Sequence, residues 1–165
     1  MSLRDQLHEE MTAATRSGDA LRRDTLRMAW SAVYGVEKRD RTTLTDEQTI
    51  AVLSREVKSR RESVEAYRKG GREDLATKEE AEIAIISAFL PRALTEDELA
   101  ALVGEAIAAT GASSARDLGT VMGWLSPRTR GRADGKVVSG LVGAALARAD
   151  LAAHDAGDHQ GGGRG

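Results

Sequence analysis

The chain has 165 residues, no cysteine and a formal net charge of −2 at pH 7. This length suits one domain of ordinary size or two small ones, and the missing cysteines exclude a disulfide scaffold, a thiolate metal site and a cysteine nucleophile. The near-neutral charge excludes a basic field over the whole surface that would attract polyanions.

The composition predicts an all-α protein. Only two prolines and five aromatic residues are present, whereas strands favour β-branched and aromatic residues. Apolar residues recur at helical spacing behind the capping residues Ser2, Asp19 and Thr45, and Pro91 ends the last of four predicted helices. The third helix is predicted to end at Gly70-Gly71. Residues 1–91 are therefore predicted to form an N-terminal four-helix region.

A second series of helix signals begins at Thr95. Thr95 opens a capping box, Ser114 caps the next helix, and Pro127 is predicted to end it. A last apolar stripe fades near residue 148. We expect a small C-terminal three-helix bundle over residues 95–148, followed by a disordered glycine-rich tail over residues 149–165.

The histidines and motifs offer no cofactor or metal site. His8, His154 and His159 lack the spacing of metal ligands, and the glycine motifs of phosphate-loop and dinucleotide-binding proteins are absent. Because no catalytic arrangement is recognisable either, no cofactor, metal or catalytic residue is predicted. Charge begins at Arg4 and no run of about 18 apolar residues occurs, so the sequence predicts a cytoplasmic protein without a membrane partner.

The third predicted helix has many basic residues. They can be interpreted as a phosphate-contacting face or as a solvated helix supported by the i,i+4 pairs Lys58–Glu62 and Glu65–Lys69. Arg61 lies at the edge of the apolar stripe, and we expect it to pair with Glu82 of the next helix. The secondary basic face predicted on this helix consists of Arg55, Lys58, Arg60, Arg68, Lys69 and Arg72.

The loop between the last two predicted helices, residues 126–136, is the strongest candidate site. Gly131 and Gly135 permit positive φ angles, and Asp134 is suited to cap the final helix beside a basic cluster. Arginines near a helix N-terminus suit phosphate groups, although the same residues can also serve a solvated turn. The cluster consists of Arg128, Arg130, Arg132 and Lys136.

Several motifs resemble the signature of the YqeY family. The resemblance extends over about residues 1–148. Its motifs, in chain order, are residues 67–75, Glu79, Glu82-Ile83, residues 89–91, residues 95–99, residues 111–113, residues 117–119, Val121-Met122 and residues 131–139. Chains of this family resemble the helical C-terminal portion of the B subunit of the glutamyl/aspartyl-tRNA amidotransferase, which engages tRNA. The catalytic domains of that enzyme have no counterpart in this sequence.

The resemblance implies a helical tRNA-binding module, or an accessory to a tRNA-dependent amidotransferase (a carbon–nitrogen ligase with glutamine as amido-nitrogen donor) or to another tRNA enzyme. It does not imply catalysis by this chain alone. The alternative is a protein-interaction adaptor that does not bind nucleic acid. By position, the candidate RNA-binding residues are Arg128, Arg130, Gly131, Arg132, Asp134, Gly135, Lys136 and Ser139.

Overall fold

The structure, a computed structural model, describes residues 1–158, and this part of the chain is all-α, as the sequence predicts. It divides into two compact units, Met1–Arg92 and a second unit that begins at Ala93. The first contains four α-helices, and the second contains three α-helices and a short 3₁₀-helix within the described residues. The glycine-rich residues 159–165 lie outside the described part.

The first unit consists of α1 (Leu3–Ser17), α2 (Ala20–Asp40), α3 (Asp46–Lys69) and α4 (Glu73–Ser87). The side chains of Ser2, Asp19 and Thr45 accept backbone N–H groups at the starts of α1, α2 and α3, as the sequence predicts. Leu7, Leu26, Leu53 and Ile86 are fully buried in one core, and each such side chain contributes about 1.5–3 kcal/mol by leaving water.

The turn between α3 and α4 follows the resemblance motif at residues 67–75. Gly71 has φ 72°, and the N–H groups of Gly71 and Arg72 donate to the carbonyls of Arg68 and Tyr67 at 3.1 and 2.8 Å. This pair of hydrogen bonds forms a Schellman end, which places glycine where other residues are strained. Arg68 then pairs across the turn with Glu73.

The end of α4 differs from the prediction. The helix ends at Ser87 rather than at Pro91, and two turn hydrogen bonds, from Phe89 to Ile86 and from Leu90 to Ser87, continue the chain. A proline disfavours helical geometry in the residue before it, so the chain leaves the helix ahead of Pro91.

A buried ion pair joins α3 to α4, and it uses Arg60 rather than the expected Arg61. Arg60 Nε lies 3.1 Å from Glu82 Oε2, with side-chain exposures of 6% and 11%. Arg60 also lies 2.8 Å from Glu56, whereas Arg61 is exposed. Burial raises the pKa of Glu79 on the same side of α4, and the neighbouring Glu82 raises it further. The sequence prediction was wrong by one residue because both arginines flank the apolar stripe at helical spacing.

The second unit consists of α5 (Glu96–Thr110), the 3₁₀-helix Ala115–Asp117, α6 (Leu118–Thr129) and α7 (Gly135–Asp158). Its core includes Val103, Leu125, Val138, Val142 and Leu146. Capping boxes at Thr95 and Ser114 start its first two helical segments.

Two helix ends in this unit correct the sequence prediction. Pro127 lies inside α6, which continues to Thr129 because the Arg130 N–H still donates to the Ser126 carbonyl at 3.1 Å. α7 continues to Asp158, so the predicted disorder is wrong for residues 149–158. The extension is rich in alanine, which favours the helix even where the residues are exposed.

By length and composition alone, the stretch Gly135–Gly157 of α7 could cross a membrane. Val138, Val142 and Leu146 of this stretch instead pack in the core of the second unit. The apolar character of α7 is therefore explained, over its first half, by its place in that core.

Candidate nucleic-acid interface

The connection between α6 and α7 is a five-residue turn, residues 130–134. Gly131 adopts φ 74°, which costs a residue with a Cβ about 1–2 kcal/mol. The N–H groups of Arg132 and Ala133 both donate to the Thr129 carbonyl, at 2.9 and 3.0 Å. The turn thus has one defined backbone path, and Gly131 is the glycine that this path requires.

The turn is fixed to the body of the second unit at two points. The Leu94 N–H donates to the Arg132 carbonyl at 2.8 Å, and Ala133 packs against the core. Thr129, the last residue of α6, is buried, and its hydroxyl donates to the Leu125 carbonyl of the same helix. A rigid backbone holds its side chains in place before a ligand arrives, which lowers the entropic cost of binding.

Asp134 caps α7, as the sequence predicts. Its carboxylate accepts the Lys136 N–H at 2.8 Å, and its carbonyl accepts the Val138 N–H at 3.0 Å. Because a carboxylate already occupies this helix N-terminus, an anion near the turn would depend on the cationic side chains.

Gly135 differs from the expectation of a positive φ. It is the first residue of α7, its φ is not positive, and a Cβ built there meets nothing within 4 Å. The backbone at this position therefore has no conformational need for glycine.

Arg128 lies on α6, not in the loop, because that helix continues past Pro127. Its guanidinium carbon lies 3.7 Å from the centroid of the Trp124 ring, and its Nη1 donates to the Trp124 carbonyl. The i,i+4 spacing of the two residues is the signal from which this contact could have been predicted. Arg128 is held on the indole face while remaining exposed to solvent.

The other candidate residues lie in the turn or in the first turns of α7. Arg130 and Lys136 are exposed, whereas Arg132 and Ser139 are half-buried. The structure therefore places four cationic residues within a nine-residue segment around one anchored turn. Guanidinium groups can donate paired hydrogen bonds to phosphate oxygens, so this segment has the chemistry of an anion-binding surface.

The secondary basic face on α3 is less basic than the sequence indicates. Arg60 is buried between Glu56 and Glu82 and does not belong to it. Arg68 pairs with Glu73 and Glu80, and Arg72 pairs with Asp74 at 3.1 Å. The remaining members are exposed: Arg55, Lys58 and Lys69. This pairing favours the solvated, mixed-charge interpretation of α3.

Within residues 1–158 no three histidine or carboxylate side chains are grouped so that they could hold a metal ion. The arrangement around the turn can bind anions through arginine and lysine.

Three curated proteins are similar to this chain over part of its length. An uncharacterized protein of Schizosaccharomyces pombe is 36% identical over 67 residues, which are 41% of this chain and 54% of that protein. "Altered inheritance of mitochondria protein 41, mitochondrial" of Pyrenophora tritici-repentis is 28% identical over 137 residues, 81% of this chain and 75% of its own length. The protein of the same name from Vanderwaltozyma polyspora is 33% identical over 85 residues, 51% and 46% of the two chains.

The chain thus spans about half the length of the first and third of these relatives. The second and third are mitochondrial by name, whereas the sequence predicts the cytoplasm for this chain. The family model described as Yqey-like protein matches residues 4–146. That match includes both units and the basic turn between α6 and α7, and the chain therefore belongs to the YqeY family.

Proposed function

We propose that this chain is a helical tRNA-binding module that acts as an accessory to a tRNA-dependent enzyme and is not catalytic alone. The observation behind the proposal is the anchored turn before α7, hereafter the basic turn, with Arg128, Arg130, Arg132 and Lys136 around it. A folded RNA presents phosphates at fixed positions, and a turn with a fixed backbone can match them.

Electrostatics set the expected strength of this binding. Each phosphate contact releases counterions, so affinity falls steeply as salt rises. The net charge of −2 opposes any long-range attraction of RNA to the whole chain. The proposal therefore includes a second contributor to affinity, which is the enzyme or subunit that the module assists.

The choice of an amidotransferase as that enzyme rests on the resemblance to the C-terminal portion of its B subunit. Two kinds of partner remain in the proposal, namely the amidotransferase subunits themselves and another tRNA enzyme. Co-purification from the source cells distinguishes these partners, because it identifies which protein is bound to the chain. The isolated chain is expected to show no amide transfer with glutamine, ATP and charged tRNA.

The test of RNA binding is a salt series with purified full-length chain and total tRNA. The variant Arg132→Ala/Lys136→Ala removes two cations from the basic turn, and Arg55→Ala/Lys58→Ala removes two exposed cations from α3 as the matched control. We expect the turn variant to lower the slope of log affinity against log salt by about 0.9 for each phosphate that it no longer neutralises. The α3 variant should keep the slope of the unmodified chain.

Equal reductions of affinity in both variants would mean that only total charge matters, and they would contradict a specific role for the basic turn. Absence of tRNA binding at about 50 mM salt, where electrostatic binding is strong, would contradict RNA binding by the isolated chain.

One observation favours the second candidate, a protein-interaction adaptor. α7 exposes apolar residues along its length: Val137 is 54% exposed, Leu141 39% and Leu151 69%. Such a face is typical of helices that pack against a partner. Capture of a protein that fails with Leu141→Ser/Leu151→Ser but succeeds with the turn variant would support the adaptor.

The cytoplasmic location is a further part of the proposal and rests on the sequence alone, whereas two relatives are named as mitochondrial. Fractionation of the source cells with an antibody against the chain tests it directly.

A further inference from the structure

Aromatic residues are scarce in this chain, yet the first unit gathers three rings on one surface. The rings of His8 on α1 and Trp30 on α2 have centroids 4.7 Å apart with an angle of 51°. Trp30 and Tyr34 have centroids 6.4 Å apart and nearly parallel planes, at 19°. Tyr34 is 50% exposed and His8 is exposed as well, so part of this row of rings is open to solvent.

Cationic residues extend the row along α2. Arg27 and Lys38 share one face of the helix with Trp30 and Tyr34, because steps of three and four residues return to the same side. Arg41 follows the helix as its C-cap. All three cationic residues are exposed. From Arg27 to Arg41 the face is about 21 Å long. We call this the α2 aromatic–basic face: His8, Arg27, Trp30, Tyr34, Lys38 and Arg41.

Acidic groups near this face are largely engaged by other residues. Glu37 lies between the rings and Lys38 in sequence, but it is buried and accepts Arg4 Nε at 2.6 Å and the Leu44 N–H at 3.0 Å. Asp24 pairs with Arg23 at 2.8 Å, and its charge also interacts with Arg27 at one end of the face. The pairing of Glu37 leaves the central part of the face with basic and aromatic character.

Arg41 gives an independent indication. Among the non-glycine residues that the structure describes, Arg41 alone has a positive φ, at 52°. Glycine or asparagine is common at such a helix end, and other residues pay a conformational cost there. An arginine in this position supplies a cation at the end of the face, although its positive φ lowers local stability. Backbone strain of this kind is characteristic of functional positions.

We propose that the α2 aromatic–basic face binds an unpaired RNA strand. Exposed rings can stack on bases only where the bases are not already paired and stacked in a duplex, while the cations follow the phosphate backbone. The choice of RNA over DNA rests on the proposed tRNA-related function, and the face itself lies in the unit that does not contain the basic turn. Its ligand is therefore distinct from the folded RNA proposed for that turn.

The probe is an unstructured oligouridine of about 12 nucleotides, which lies within the usual range of single-strand site sizes. Trp124→Phe leaves Trp30 as the tryptophan in the full-length chain, so its emission reports stacking at this face. We expect the oligouridine to quench Trp30 and Tyr34→Ala to weaken binding about tenfold.

Adjacent residues on α2 provide a matched pair of charge variants. Lys38→Ala should lower the slope of log affinity against log salt by about 0.7, the value for one single-strand phosphate contact. Arg39→Ala removes the same charge from a residue that is off the face and paired with Asp40, and it should leave the slope unchanged. Arg41→Gly should weaken binding without loss of stability, because glycine accepts the positive φ.

Three results would overturn the proposal: no quenching by oligouridine up to about 100 μM at low salt, equal effects of Lys38→Ala and Arg39→Ala, or quenching of Trp30 by anionic lipid vesicles but not by RNA. A deoxythymidine strand that bound more tightly than oligouridine would overturn the choice of RNA. Because the basic-turn variant Arg132→Ala/Lys136→Ala is expected to bind oligouridine normally, failure here is distinguishable from failure of the proposed tRNA binding.

Discussion

Replacement of Arg60 should destabilise the first unit far more than replacement of its neighbour Arg61. Arg60 forms an ion pair with Glu82, and the two side chains are only 6% and 11% exposed. Arg60→Met would leave the Glu82 carboxylate buried without its partner and close to Glu79, whose pKa burial already raises. Loss of one partner from such a pair costs about 3–5 kcal/mol in the free energy of unfolding. Glu56 is 28% exposed and can recover water, so it adds less to the cost.

Urea unfolding measures this difference. In a Trp124→Phe background, the emission of Trp30 follows the first unit alone, since Trp124 belongs to the second. With a slope of about 2 kcal/mol per molar urea, the midpoint for Arg60→Met should fall by about 2 M. Arg61→Met, at an exposed position, should stay within about 0.5 kcal/mol of the starting protein.

A double variant separates the ion pair from packing. Replacing both partners with apolar residues removes the unpaired charge, so Arg60→Met/Glu82→Leu should recover most of the stability. The reasoning is refuted if Arg60→Met and Arg61→Met unfold at the same urea concentration, or if the double variant is as unstable as the sum of its two single variants.

Four further substitutions, each at a single position, give testable predictions. Thr25 Oγ1 is buried without a hydrogen-bond partner among the described residues, so Thr25→Val should raise the free energy of unfolding by about 1 kcal/mol in urea. Gly131→Ala should lower it by about 1–2 kcal/mol because of the positive φ, whereas Gly135→Ala should raise it by up to about 1 kcal/mol, both followed by thermal unfolding of the second unit. The hydrogen bond from Arg4 holds the pKa of Glu37 below its ordinary value of 4.5. The stabilisation by Glu37 is therefore fully present above pH 4.5 and is lost as the pH falls through the lower folded pKa. The difference in urea midpoint between the unmodified chain and Glu37→Gln should shrink over that acidic range, and a difference independent of pH would contradict the assignment.

Much of the helical architecture can be predicted from local sequence. The capping residues Ser2, Asp19, Thr45 and Thr95 mark helix starts because their side chains bond to backbone groups only three residues away or fewer. Gly71 and Gly131 mark turns for the equally local reason that they permit a positive φ. The motifs of the YqeY family are likewise read from residue order, and the family match over residues 4–146 confirms them.

Other features depend on what packs against each helix. Arg60 and Arg61 both flank the apolar stripe of α3, and only the position of α4 determines which of them meets Glu82. The basic turn itself was predictable as a cluster of arginines, but its fixed backbone depends on the hydrogen bond from Leu94, which is distant in sequence.

The α2 aromatic–basic face also combines features that the sequence determines with features that packing determines. Trp30 and Tyr34 share a side of α2 by their spacing alone, which the sequence determines. His8 joins them only because α1 packs beside α2, and Glu37 is removed from the surface only because Arg4 of α1 and the Leu44 backbone bind it. Sequence periodicity specifies which residues lie on one face of one helix. Which faces meet, and which charges they neutralise, is decided by tertiary packing, since those contacts join residues that are far apart in the chain.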